Sequence, residues 1–196
     1  WFRVPANTYF NANALENLRE LDTTTALIVT DGPSEHRGVT DVIRTRLRAA
    51  HVHVFSEVQP EPDERIIRQG VELLDRYGPD LIVAVGGGSV IDAAKVMRLF
   101  HEQPDKTMED LTLPFLDPRK RVAEYSQNPH RVRLVAIPTT SGTGSEVSPA
   151  AVITVGDRKL TLVDYSLVPD IAIVDIRMPP TNTDEGLVAA KTIRAE

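Results

Sequence analysis

Short runs of Val, Ile, Leu and Ala recur along the chain, separated by amphipathic stretches of helical period. Continuous apolar runs suit strands buried on both faces, so the alternation predicts an α/β domain: a Rossmann-like parallel sheet flanked by helices. Ala26, Leu27, Ile28, Val29, Thr30 and Asp31 make the first expected strand, and Val39, Val42, Ile43 and Leu47 follow at helical spacing. A second strand near 52–55 completes a strand-helix-strand unit by about Val58. Pro60 and Pro62 break the chain. Ile66, Ile67, Gly70, Val71 and Leu74 then mark one face of a helix that stops at Tyr77-Gly78-Pro79. The run 81–85 (LIVAV) leads straight into Gly86, Gly87, Gly88 and Ser89, and Ile91, Ala94, Lys95 and 97–99 predict the helix beyond that turn.

From 101 to 130 the pattern dissolves among Pro104, Pro114, Pro118 and Pro129, which predicts a long connection with one short helix near 108–111. Leu134, Val135, Ala136 and Ile137 resume as a buried strand, and 151–155 and 160–163 flank the polar turn Gly156-Asp157-Arg158 as an antiparallel hairpin. A last strand at 171–175 precedes Pro179-Pro180. The expected division is an α/β domain over 1–180 and a terminal segment over 181–196, with no internal repeat.

Composition narrows the function classes. The chain has 196 residues, 41% of them hydrophobic, no cysteine and a net charge of −6. A chain of this length can bury a core without cross-links, and without cysteine it is neither a disulfide scaffold nor a thiol enzyme. The acidic balance argues against nucleic acid as a partner, because such binding draws on Lys and Arg to neutralise phosphates. The cluster Arg119, Lys120, Arg121 reads as a solvated loop. No apolar run reaches the roughly 18 residues of a membrane span, and the opening residues are not those of a leader, so the expectation is a cytoplasmic protein without a membrane partner.

Two loops carry the candidate chemistry. Gly86, Gly87 and Gly88 lie between a buried strand and a helix, where glycine allows a tight turn and the first helical N–H groups point at an anion such as phosphate. Ser89 is placed to cap that helix and Asp92 to sit at its third position. Taken alone, GGGS is equally compatible with a plain turn, being neither G-x-G-x-x-G nor a Lys-containing P-loop. The second loop, 139–145 (TTSGTGS), carries five hydroxyl residues and two glycines at the end of another strand. Open α/β sheets bind ligands at that edge, and the two loops together point to a dinucleotide. Asp31, ending the first strand, is placed to accept from ribose hydroxyls and to repel the extra phosphate of NADP. The histidines His36, His51, His53, His101 and His130 show no metal-ligand spacing, and no Ser-His-Asp arrangement is suggested.

GGGSVIDAAK (86–95) followed by PTTSGTGSEVSP (138–149) resembles the iron-dependent, group III alcohol dehydrogenase family. The opening FRVPANTYF, the ALIVTD strand and LVDYSLVPDIAIVD (162–175) extend the resemblance over about 1–180, most nearly to the alcohol dehydrogenase half of bifunctional aldehyde-alcohol dehydrogenases. The resemblance implies a domain binding NAD, followed by a helical domain in which one Asp and three His hold Fe(II) or zinc. It also implies that Asp31 faces the adenosine ribose, that Gly87, Gly88, Ser89 and Asp92 face the diphosphate, and that Thr139, Thr140 and Thr143 face the adenine and nicotinamide side. Val152, Lys159 and Met178 match further cofactor-contacting positions.

The chain departs from the family pattern twice. Glu61-Pro62 stands where the family usually has Asn or Asp before Pro, and an ungapped continuation after 175 places Ile193 where a metal-binding Asp is expected. Asp184 is the nearest carboxylate, with Val188 rather than His four residues on. The resemblance thus implies an enzyme interconverting a small alcohol and an aldehyde by hydride transfer to NAD. For this chain alone no catalytic residue, no metal ligand and no turnover is expected. A non-catalytic nucleotide-binding or assembly module is the alternative, a related polyol dehydrogenase or dehydroquinate-synthase-like lyase is a third, and a homo-oligomer is compatible with all of them.

Overall fold

The computed structural model describes residues 3–108 and 131–175. Eight strands are present among them: β1 Asn7–Asn11, β2 Thr25–Asp31, β3 His51–Val58, β4 Leu81–Gly86, β5 Arg133–Pro138, β6 Ala150–Val155, β7 Arg158–Val163 and β8 Ile171–Asp175. Four α-helices accompany them: α1 Gly32–His36, α2 Val39–Arg46, α3 Glu64–Tyr77 and α4 Gly88–Glu102. A six-stranded sheet runs in the order β1-β8-β5-β4-β2-β3 with every pairing parallel, and β6 and β7 form a separate antiparallel pair. This is the expected Rossmann-like sheet with an added hairpin.

The continuous apolar runs are explained by burial on both faces. Because side chains alternate along a strand, Leu27, Val29, Ile82, Ala84, Leu134 and Ala136 join one core with α3, α4 and the hairpin. Ala26, Ile28, Leu81, Val83, Val85, Val135 and Ile137 join the other, with α2 and the 3-10 helix Ala14–Glu20. A fully buried side chain of this size contributes about 1.5–3 kcal/mol. α3 ends as the sequence implies, with Gly78 in the left-handed region at φ 54° and its N–H donating to the Leu74 carbonyl.

Three features were not expected from the pattern. β1 lies in the polar opening segment and forms one sheet edge through its pairing to β8; its exposed sequence gives no apolar run to recognise. The short helix α1 precedes α2, signalled only by Asp31 as N-cap and Pro33 just inside the start. α4 also begins earlier than expected, with Gly87 as its N-cap. The helix expected near 108–111 and the basic cluster at 119–121 lie, Met108 aside, outside the described residues, as does the terminal segment 181–196. Among the described residues no helix is long and apolar enough to cross a membrane.

Candidate dinucleotide crevice

The connection after β2 leads to β3 on one side, and the connection after β3 returns across β2 to β4 on the other, so the strand order reverses between β2 and β4. Such a switch point leaves a crevice at the C-terminal ends of the strands. Asp31 ends β2 there and Gly86 ends β4. β5 adjoins β4 in a register that sets Pro138 opposite Gly86, and the Thr139 N–H donates to the Gly86 carbonyl at 2.9 Å. The two loops singled out by composition therefore start side by side.

The glycine turn is built for close packing. A Cβ on Gly86 would lie 2.6 Å from Val90 Cγ2, so glycine is required simply to let strand and helix meet. A Cβ on Gly88 would lie 3.2 Å from both Ser145 Oγ and Thr143 Cγ2, and one on Gly87 3.5 Å from Thr140 Oγ1. Thus the second loop lies directly against the first.

Two assignments change with the true start of α4. With Gly87 as N-cap, Ser89 is the second helical residue and does not cap, and no side chain caps this end. Asp92 consequently falls in the second turn rather than at the third position, and the first turn carries no acidic residue. Its carboxylate is buried and Oδ2 accepts the Val152 N–H at 3.0 Å, tying the hairpin to α4; burial raises its pKa above the usual range. The helix start thus presents its backbone N–H groups without a competing carboxylate, which favours an anion.

The second loop is more open. Thr139, Thr140, Ser141 and Thr143 are exposed, while Ser145 is buried against Gly88. Gly142 and Gly144 adopt φ of 90° and 66°, so the chain bends there in a conformation that residues with a Cβ rarely take.

The remaining candidates are more dispersed. Asp31 Oδ1 accepts the Ser34 N–H at 2.7 Å as the cap of α1, at the mouth of the switch point. Val152 is 41% exposed on the hairpin. Lys159 is ion-paired to Glu61 at 2.7 Å, which engages it with the loop before α3 rather than with either crevice loop. Glu61 itself has φ of 59°. Lys159 also lines a groove of about 1020 Å³ between α3 and the hairpin, with Ile67, Phe100 and Leu160, to which 86–89 and 139–145 contribute nothing. The candidate site is taken at the switch point, where the glycine turn and the hydroxyl loop meet, and not in this groove, whose lining mixes apolar residues with charged ones such as Glu64, Arg68 and Lys106. Met178, Asp184 and Ile193 lie outside the described residues.

Sequence reasoning missed Lys95 as a tie between elements. It is fully buried on α4, where burial pushes its pKa down to about 8 against the attraction of Asp92 and Glu146. The spacing of Asp92 and Lys95, three apart on a helix, was the available signal. Among the described residues no group of three or more His, Cys, Asp or Glu converges as a metal site. The described residues therefore do not fit a catalytic metal.

The model of iron-containing alcohol dehydrogenases matches residues 5–176. The chain belongs to this family. It is 42% identical over 186 residues to the bifunctional aldehyde-alcohol dehydrogenase of Escherichia coli (strain K12), covering 91% of this chain and 21% of that protein. It is 37% identical to an NADPH-dependent butanol dehydrogenase of Clostridium saccharobutylicum, covering 92% of this chain and 46% of that one. An iron-containing alcohol dehydrogenase structure from Thermococcus thioreducens superposes with a TM-score of 0.79 at 29% identity, covering 91% of this chain and 47% of that structure. The chain thus spans about a fifth of the bifunctional relative and just under half of the other two.

Proposed function

We propose that the switch-point crevice binds a nicotinamide dinucleotide, NAD(H) in preference to NADP(H), as the cofactor portion of a metal-dependent alcohol dehydrogenase. The observation that carries this reading is the closeness of Gly88 to Thr143 and Ser145, whose side chains a Cβ at that position would meet at 3.2 Å. It joins a helix N-terminus rich in backbone donors to a loop rich in hydroxyls, at the sheet edge where α/β folds bind such ligands. The diphosphate would lie over Gly87, Gly88 and Ser89, with Gly86 and Asp92 supporting the turn. Thr139, Thr140 and Thr143 would donate to the nicotinamide and adenine sides, Asp31 would accept from the ribose, and Val152, Lys159 and Met178 would complete the contacts. A bound dinucleotide supplies the hydride acceptor or donor for alcohol and aldehyde interconversion. This chain's own residues bind and orient it.

Preference for NAD(H) follows from the Asp31 carboxylate, which would face a second negative charge in NADP(H). The NADPH-dependent relative makes this point a choice within the family rather than a property of it. Calorimetric titration with NADH and NADPH tests both parts: measurable NADH affinity with weaker NADPH is expected. Equal affinities would overturn the preference, and no binding of either would overturn the site.

A further inference from the structure

Lys95 lies in the middle of α4 with no exposed surface, and the cofactor reading gives it no task. Its Nζ donates to the carbonyl oxygens of Ser148 at 2.9 Å and Ala150 at 2.8 Å, with Ser148 Oγ at 3.4 Å. All three acceptors belong to the short segment that closes the second loop and opens β6. Just before it, the Val147 and Ser148 N–H groups both donate to the Gly144 carbonyl at 3.1 Å, so the loop's last bend leans on that segment. The charged groups acting on the ammonium are Asp92 and Arg98 of α4 and Glu146 of the loop.

We infer that Lys95 is a positioning residue: its amine clamps the carbonyls of Ser148 and Ala150 and so fixes where the 139–145 loop meets the glycine turn. The inference rests on the reading of the crevice as a dinucleotide site. The clamp is sensitive to pH in a defined direction. Burial holds the Lys95 pKa down to about 8, from 10.5 when solvated, so the docked loop binds the proton less readily than a released one. Docking therefore strengthens as pH rises through about 8 and levels off as the solvated value is approached. A neutral amine keeps two N–H donors, one for each carbonyl, so both bonds survive loss of the proton.

The test is amide hydrogen exchange of Val147 and Ser148, as protection factors corrected for intrinsic rate, in the chain without cofactor. In the wild type, protection is expected to rise by up to about tenfold between about pH 7 and about pH 9. In Lys95→Met, which keeps the apolar stem and removes the donors, protection should fall severalfold and lose that slope. A flat wild-type profile, or a Lys95→Met profile matching the wild type, would overturn the inference. If circular dichroism shows that Lys95→Met does not fold, Lys95→Gln, whose shorter side chain cannot reach both carbonyls, takes its place in the same measurement, with the same loss of protection expected. NADH titrations over the same range separate the two ideas: affinity that follows loop protection supports both. An intact exchange profile with no NADH binding at any pH keeps the clamp and removes the dinucleotide reading.

Discussion

The two walls of the crevice are made in different ways. The glycine turn is set by its own neighbourhood: Gly87 caps α4, and its carbonyl accepts the Val90 and Ile91 N–H groups at 3.0 and 3.2 Å. Its helix start is set by residues a few positions away, while Thr139, Thr140, Thr143 and Ser145 of the second loop lie against it. The threonine loop, by contrast, is exposed along 139–143; it is fastened by the β5 register on one side and, on the other, by Ser145 buried beside Gly88 and by a lysine 53 residues away that holds Ser148. One wall is set largely by local structure, because a helix begins there. The other is held by long-range ties, which makes it the wall that pH, mutation and ligand can move.

The strongest way to break that contrast is to cut a long-range tie elsewhere on α4. Arg98 is fully buried; it bonds Asp170 Oδ2 at 2.6 Å and the carbonyls of Ser166 and Val168 at 2.6 and 2.9 Å. Arg98→Ala should cost about 3 kcal/mol, the low end for a broken buried pair because Asp170 keeps some contact with water. Urea denaturation measures it; a loss too small to detect would show that this connection does not depend on the tie.

Gly88→Val comes next. The branched side chain must push against Ser145 and Thr143, prising the walls apart at an overpacking cost of about 1–3 kcal/mol, or roughly fivefold to 150-fold in NADH affinity. Unchanged affinity would mean that the ligand does not lie between the walls. Gly142→Ala acts on the open wall alone. With nothing within 4 Å of the added carbon, only the positive φ opposes it, for about 1 kcal/mol. The contrast predicts a weaker effect on NADH binding than at Gly88, and the reverse order in the same titration would contradict it.

The smallest expected effect belongs to Asp31→Asn. Asparagine still caps α1, so stability should hold within a few tenths of a kcal/mol, while removing the charge should improve NADPH affinity by about threefold to tenfold at low salt. Binding measured at two ionic strengths checks the sign and its screening. An NADPH affinity that does not respond would reassign Asp31 to capping alone.

Much of this was legible in the chain, for identifiable reasons. The parallel core strands show as Val- and Ile-rich runs because both their faces are buried. The α3 stop shows in Gly78-Pro79, and the hairpin in its polar turn. Both loops stand out by composition, through glycine and hydroxyl density at a strand end, and the structure sets them side by side. β1 was missed because an exposed edge strand has no apolar signature, and the start of α4 was misplaced by two residues because Gly87 can cap as well as Ser89.

What the sequence by itself determined is what periodicity and local chemistry encode: most of the elements, their order, and two loops dense in glycine and hydroxyl groups at strand ends. Only the tertiary structure decided which strands are neighbours, and with that the register that sets Pro138 beside Gly86. It also decided the fate of the buried charges. Asp92 and Lys95 stand three apart on α4, but their partners, the Val152 N–H and the carbonyls of Ser148 and Ala150, are 53 to 60 residues away in sequence. No local rule reaches that far, because the choice of partner is made by the packing of hairpin against helix, where an unpaired buried polar group is costly enough to select one arrangement.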